Sequence, residues 1–396
     1  MKLKYVKKQN QEVQEIPEQC KTASRLSTDE IEHIAEIFKT PIVGSYNWDY
    51  TQEDNRIHRL YQLGKKLNWN VNHDINWEGI ISQSRSPFTR EGNAFGCYEQ
   101  YLDMSEEKRI EFDWVRFSDQ CSQFLHGEQG ALIVASQLVS CAPTYNGKLY
   151  AASQAFDEAR HVEFFNQFID RQIHKRFPCR PGLKAILDMI LTDERWDLKL
   201  FGMQVIIEGL ALAAFNTAKA ASSIPVFKEG IHFVTRDEGR HVAFGVNYLE
   251  EFTKTLSPEE KDIRAFVALE AMRLLRDPVA DQEVFNNFGW DVEHAMEFFR
   301  DNFSRFDFKI QLFGRIIPNL KRIGLLETEK VRQVYGDIGL LDFENITPDT
   351  DIDWQSLEKP LSYMEKDDSF VEVPDELREQ MIAHSLRRRS EAHRAV

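Results

Sequence analysis

Two stretches of this 396-residue chain repeat one arrangement of side chains that can bind metal. Asp157-Glu158-Ala159-Arg160-His161 returns eighty residues later as Asp237-Glu238-Gly239-Arg240-His241, with Val162 and Phe164 returning as Val242 and Phe244. Glu and His three apart on a helix project from one face, so each pair can reach a single ion. Thirty residues before each repeat, a lone glutamate interrupts an apolar run: Glu128 in the first half and Glu208 in the second. A carboxylate buried without a partner costs on the order of several kcal/mol, so both call for cations. One metal would take Glu128, Glu158 and His161, and the other Glu208, Glu238 and His241. Oxygen-rich ligation with imidazole suits iron or manganese, whereas a structural zinc favours thiolates.

A single Glu-x-x-His carries little weight, and Glu30-Ile31-Glu32-His33 reads as an exposed, capped first turn. The duplicated pattern is different. Read blandly, it is two charge-laced helices, but that leaves Glu128 and Glu208 unexplained. Metal-bound histidine usually donates its other N–H to a carboxylate. Asp157 and Asp237 are therefore expected to hold the histidine of the opposite half, with Arg160 and Arg240 pinning those aspartates or bridging across the helices. His126 and His232 read as structural.

Such motifs need long helices to carry them. Ser27-Thr28-Asp29-Glu30 opens a helix to about Lys39, and a second covers about 54–67, before a loop rich in Trp and Asn. Ser105 opens a long helix that ends near Cys141, ahead of Pro143. Further helices cover about 146–172, a short stretch from Pro181, about 194–221, about 227–255, and the segment opened by Ser257-Pro258. Helical spacing continues to about Leu325, then an acidic, Pro-dotted arm covers 342–368 and a basic tail ends the chain. Strand signals are nearly absent. The expectation is an all-α chain divided into 1–104, a metal-carrying core at 105–256, C-terminal helices at 257–341, and an arm and tail at 342–396. Two hairpins facing each other make a four-helix bundle with four carboxylates and two imidazoles inside.

Composition narrows the partners. The chain has 64 acidic against 49 basic residues, a charge of -15, which argues against nucleic acid. With 42% hydrophobic residues and 28 Phe, it has material for a large core, which excludes a mainly disordered chain. Five cysteines without a CxxC fit reduced thiols. No secretory signal follows the basic start, and the apolar runs near 131–139 and 205–215 look too short to span a bilayer. The expectation is a cytoplasmic protein with no membrane partner.

On Glu128, Glu158-x-x-His161, Glu208 and Glu238-x-x-His241, the chain resembles the ferritin-like di-iron carboxylate superfamily, and within it the large oxygenase branch. Asp-Glu-x-Arg-His in both halves is similar to the hydroxylase subunits of bacterial multicomponent monooxygenases. The even spacing resembles the oxygenase component of benzoyl-CoA epoxidase. The resemblance covers about 110–255. It implies a ferritin-like four-helix bundle with added N- and C-terminal helices, two iron ions (with Mn/Fe as the other pairing), and bridging roles for Glu158 and Glu238. It also implies O2 as co-substrate and electrons from a reductase or ferredoxin, and it leaves a homodimer open.

Several positions depart from particular branches. Phe165 stands where the radical-bearing subunit of ribonucleotide reductase carries its tyrosine. Val234 stands where di-iron arylamine N-oxygenases add a histidine, which counts against that branch. Leu212 and Ala211 replace the threonines of monooxygenases and desaturases. The expected function is an O2-activating, non-haem di-iron oxygenase or oxidase acting on a hydrophobic or aromatic small molecule. The alternatives are a radical-generating subunit and non-enzymatic iron handling. Small residues near the ligands, such as Ala131, Ala135, Ala211 and Gly245, either leave room for substrate or allow close helix packing.

Overall fold

The computed structural model describes residues 38–40, 42–50, 56–275, 282–301 and 303–346. The helix opened by Ser27, the Glu30–His33 pair, most of the acidic arm and the basic tail lie outside the described residues.

Helices account for nearly all regular structure. They are α1 (Arg56–Lys66), α2 (Glu99–Leu102), α3 (Glu106–Cys141), α4 (Tyr145–Phe168), α5 (Pro181–Thr192) and α6 (Trp196–Ala221). Then follow α7 (Pro225–Phe252), α8 (Pro258–Leu275), α9 (Gln282–Asn287), α10 (Val292–Asp301), α11 (Phe303–Arg322) and α12 (Glu329–Asp337). Among the described residues there is no strand, only an isolated bridge between Phe88 and Ser222. The chain is all-α, as its patterning requires.

Helix ends follow local chemistry. Ser105 caps α3 by accepting from the Lys108 N–H at 3.4 Å, and Thr144 caps α4 by accepting from Gly147 at 3.1 Å. Pro143 cannot continue a helix and separates α3 from α4. Pro181 and Pro225 occupy first-turn positions, where a missing N–H costs nothing. Two stretches depart from α geometry: α4 runs on as one wide π turn (Ile169–Ile173), and α6 is π-helical over Phe201–Ile207.

The core is a bundle in which α3 lies along α4 and α6 along α7, with α4 meeting α7. Helix α1 closes over α4 and α7, and α11 packs against α6. One side of the bundle is aliphatic, built from residues such as Val134, Leu138, Val205, Ile206 and Ile316. The other is aromatic, with Phe117, Phe164, Phe165, Phe168, Phe215 and Phe227. Each such side chain stabilises the fold by about 1.5–3 kcal/mol on burial. Close approach depends on glycine at Gly230, where an added Cβ would lie 1.9 Å from the Phe164 ring.

Helix α6 corrects one expectation. The apolar run at 205–215 looks too short to span, yet the complete 26-residue helix is long and apolar enough to cross a membrane by length and composition. Here it is a core helix, with Gln204, Glu208 and Asn216 all buried along it.

Candidate metal centre

Four helices deliver the six predicted ligand side chains to one place: Glu128 from α3, Glu158 and His161 from α4, Glu208 from α6, and Glu238 and His241 from α7. None is more than 4% exposed. Their donor atoms form two overlapping groups, each with all atoms within 4.8 Å of one another. Glu128, Glu158, His161 and Glu238 make one group, and Glu158, Glu208, Glu238 and His241 the other. Glu158 and Glu238 are common to both.

Each imidazole turns its Nδ1 inward. His161 Nδ1 lies 3.1 Å from Glu128, 3.2 Å from Glu158 and 3.2 Å from Glu238. His241 Nδ1 lies 3.1 Å from Glu158 and 3.4 Å from Glu238. The outer nitrogens cross over between the halves: His161 Nε2 meets Asp237 at 3.3 Å, and His241 Nε2 meets Asp157 at 3.1 Å. Both aspartates are shared by the arginines. Arg160 donates to Asp157 and, at 3.2 Å, to Asp237, while Arg240 reaches Asp157 at 3.0 Å and Asp237 at 2.7 Å. Two carboxylates and two guanidiniums thus alternate in a buried, charge-balanced square that holds the outer edges of both histidines.

The protonation pattern follows from this arrangement. Burial, reinforced by Glu238 and other neighbouring carboxylates, pushes Glu128 and Glu208 well above the usual carboxylate range. Burial would also raise Glu158, but His241 and His161 beside it hold it below that range. Asp237 is held well below by Arg240 and His161, against the effect of burial. Both histidines are driven upward despite burial, His161 chiefly by Glu128 and His241 chiefly by Glu158 and Glu238.

The donor set fits a pair of hard divalent metals. Glu208 Oε2 and Glu238 Oε2 are buried without a hydrogen-bond partner. Such groups are costly unless something binds them, and here they point into the shared cluster. All donors are carboxylate or imidazole, the set that suits iron and manganese.

Other expected positions fall elsewhere. His126 Nε2 bonds the Phe177 carbonyl at 2.8 Å, and His232 lies beside the Phe233 ring. Phe165 and Val234 belong to the aromatic side of the core. Gly245 faces close packing, because its added Cβ would lie 2.5 Å from the Gln204 side chain.

Three residues of the site escape sequence reading. Trp69, in the loop after α1, donates its indole N–H to Asp237 at 2.7 Å and lies 5.5 Å from the Arg160 guanidinium. Nothing local in the sequence ties it to residue 237. Gln154 donates to Glu208 at 2.7 Å and to Glu158 at 3.1 Å, and Gln204 donates to Gln154 at 3.1 Å. Their signal was legible, since each stands four residues before a ligand-type glutamate.

No curated protein matches the chain. Among solved structures, an R2-like ligand-binding oxidase with an aerobically reconstituted metal cofactor after photoconversion aligns at TM-score 0.46 and 15% identity. That alignment covers 69% of this chain and 94% of that one. A single-residue variant with aerobically reconstituted Mn/Fe cofactor aligns at TM-score 0.46 and 16% identity, covering 69% and 95%. The family profile of the p-aminobenzoate N-oxygenase AurF matches residues 50–324. That match overturns the expectation drawn from Val234, because the family assignment holds with valine at that position. The family match makes the chain an oxidoreductase of the oxygenase type, and its buried carboxylate–imidazole cluster can hold a pair of metal ions. Its extent over the aromatic loop, the bundle and α11 places the match across the entire metal-carrying core, and the chain belongs to the p-aminobenzoate N-oxygenase AurF family.

Proposed function

We propose that this protein is an O2-dependent di-iron N-oxygenase for a small, hydrophobic aromatic amine. The observation that carries the reading is the pair of overlapping donor groups sharing Glu158 and Glu238 within the matched region. Glu128, Glu158 and His161 would hold one metal and Glu208, Glu238 and His241 the other, Glu158 and Glu238 being within reach of both. When bound, two adjacent redox metals supply the multi-electron reduction of O2 that no side chain can perform.

The rest of the chemistry belongs to the protein. Asp157 and Asp237 orient the imidazoles, and the arginine pair compensates their charge deep inside the bundle. Phe124, Phe165 and Phe215 pack as a triangle with ring centroids 4.8–5.8 Å apart, beside Val234. This aromatic packing keeps water from that side of the bundle and supports a substrate that is itself apolar and aromatic. A reductase or ferredoxin would return the electrons. Free thiols at Cys97, Cys121 and Cys141 support a reducing compartment, the cytoplasm.

Val234 favours one second reading, hydroxylation of a wholly apolar aromatic substrate, because its side chain offers no polar group to an amine. Anaerobically reduced protein carrying about two irons per chain should consume O2 faster when an aromatic amine is present. Labelled O2 should appear as N-oxygenated product in the first reading and as ring-hydroxylated product in the second. Metal-free protein that folds normally and takes up no iron would sink both.

A further inference from the structure

The four residues that stand four places before the ligand-type glutamates fall into two kinds. Before Glu158 and Glu208 they are Gln154 and Gln204, and before Glu128 and Glu238 they are Phe124 and Val234. The eighty-residue repeat pairs Gln154 with Val234, and Gln204 with Phe124. The repeat that duplicates the ligands is therefore broken at both of these positions.

The two glutamines form a short chain of amides ending on the carboxylates. Gln154 is fully buried, and its Nε2 donates to Glu208 Oε1 at 2.7 Å and to Glu158 Oε1 at 3.1 Å. Only an amide N–H can face two carboxylates, so chemistry fixes its orientation. Its Oε1 accepts from Gln204 Nε2 at 3.1 Å. Gln204, also fully buried, comes from the π-helical part of α6 and fills the space that Gly245 leaves open.

This makes the two halves unequal. In one, the amide takes Glu208 Oε1 and leaves Oε2 buried without a hydrogen-bond partner. In the other, Glu128 Oε2 is held by His161 Nδ1 at 3.1 Å, so the two groups a metal needs are occupied with each other. Glu208 and His241 stand 4.0 Å apart, with His241 Nδ1 3.1 Å from the shared Glu158 instead, whereas the second half must part its own Glu128–His161 contact to accept a metal. Preorganised donors bind more tightly because less is spent on ordering them.

We propose that Gln154, seated by Gln204, is a positioning residue that holds Glu208 as a one-oxygen ligand, so that the first divalent metal enters the Glu208–His241 half and the second the Glu128–His161 half. The proposal rests on the dinuclear reading above and adds to it an order of loading and its cause.

Anaerobic titration of metal-free protein with Fe(II), and with Co(II) for its coordination-sensitive absorption, tests this. The native chain should bind in two resolved steps. Gln154→Met keeps the length and removes both donors; it should weaken the first step by about 10–100-fold and leave the second, so that the steps merge. Glu208→Gln should lose the first step, and Glu128→Gln should keep it. That comparison carries the test even where Gln154→Met fails to fold. Two metals bound in one unresolved step by the native chain, or loss of the first step in Glu128→Gln, would overturn the loading order and leave the dinuclear site standing. A chain that binds neither metal overturns both.

Discussion

Removing one carboxylate from this site should have opposite consequences depending on whether it faces the donor cluster or holds a histidine and two arginines from behind. Asp237 is fully buried and receives the Trp69 indole at 2.7 Å, Arg160 at 3.2 Å, Arg240 at 2.7 Å and His161 at 3.3 Å. Asp237→Asn keeps the shape and leaves two guanidiniums to share Asp157. Breaking a buried ion pair from one side costs about 3–5 kcal/mol. Asp157 still reaches both arginines, so the loss should sit near the lower bound, about 3 kcal/mol. His161 also loses its orienting partner, which should weaken metal binding by about 10–100-fold.

Glu128 presents the contrary case. It touches no guanidinium, only His161, and both burial and the neighbouring carboxylates oppose its charge. Glu128→Gln should therefore leave the metal-free fold unchanged to within about 1 kcal/mol, while emptying one metal position. Urea unfolding of the metal-free proteins, followed by anaerobic Fe(II) titration, measures both effects. If Asp237→Asn cost less than about 1 kcal/mol, or Glu128→Gln cost as much as Asp237→Asn, the charge balance described here would be wrong.

The remaining expectations can be checked with the same proteins. Because Glu128, Glu208, His161 and His241 all have raised pKa values, the metal-free site retains protons that metal must displace, and affinity should climb with pH. Groups with raised folded pKa stabilise the metal-free chain most at low pH and lose that contribution as pH rises through those values. The melting-temperature gap between loaded and metal-free protein should therefore widen from about pH 6 to about pH 8, and a constant gap would contradict it. Trp69→Phe removes a donor to a charged group and should cost about 1.5–3 kcal/mol in urea, with a smaller loss of metal affinity than Asp237→Asn. Thr144→Ala removes the α4 cap and the 2.7 Å contact with Tyr248, and should cost about 1–2 kcal/mol with metal content unchanged.

Much of the architecture was legible because its signals are local. Helix α3 begins and ends within a residue of the sequence expectation, since Ser105 caps its start and Pro143 bars its continuation. The cross-pairing of Asp157 and Asp237 with the opposite histidines could be anticipated from the repeat, because a metal-bound imidazole needs an outer acceptor. Helix α4 was expected to reach about 172; it ends at Phe168 and continues as a π turn, because apolar spacing alone does not distinguish the two backbones. The same blindness hides the wide segment of α6 and, with it, the reason Gln204 faces Gln154. Trp69 was illegible for another reason. Its partner lies 168 residues away, and only the assembled fold brings them together.

Gly230 gives the bundle a caliper. Phe164 of α4 lies where a Cβ on residue 230 of α7 would have to go, 1.9 Å from its ring. The same two helices carry Glu158 and Glu238, which both donor groups share. The spacing of the helices that carry Glu158 and Glu238 is thus set partly by a hydrogen atom on a residue outside the cluster. A methyl group at that point, as in Gly230→Ala, would act as a shim between the helices. Lengthening of the metal–metal distance in X-ray absorption would register it, in a protein whose every ligand is unchanged.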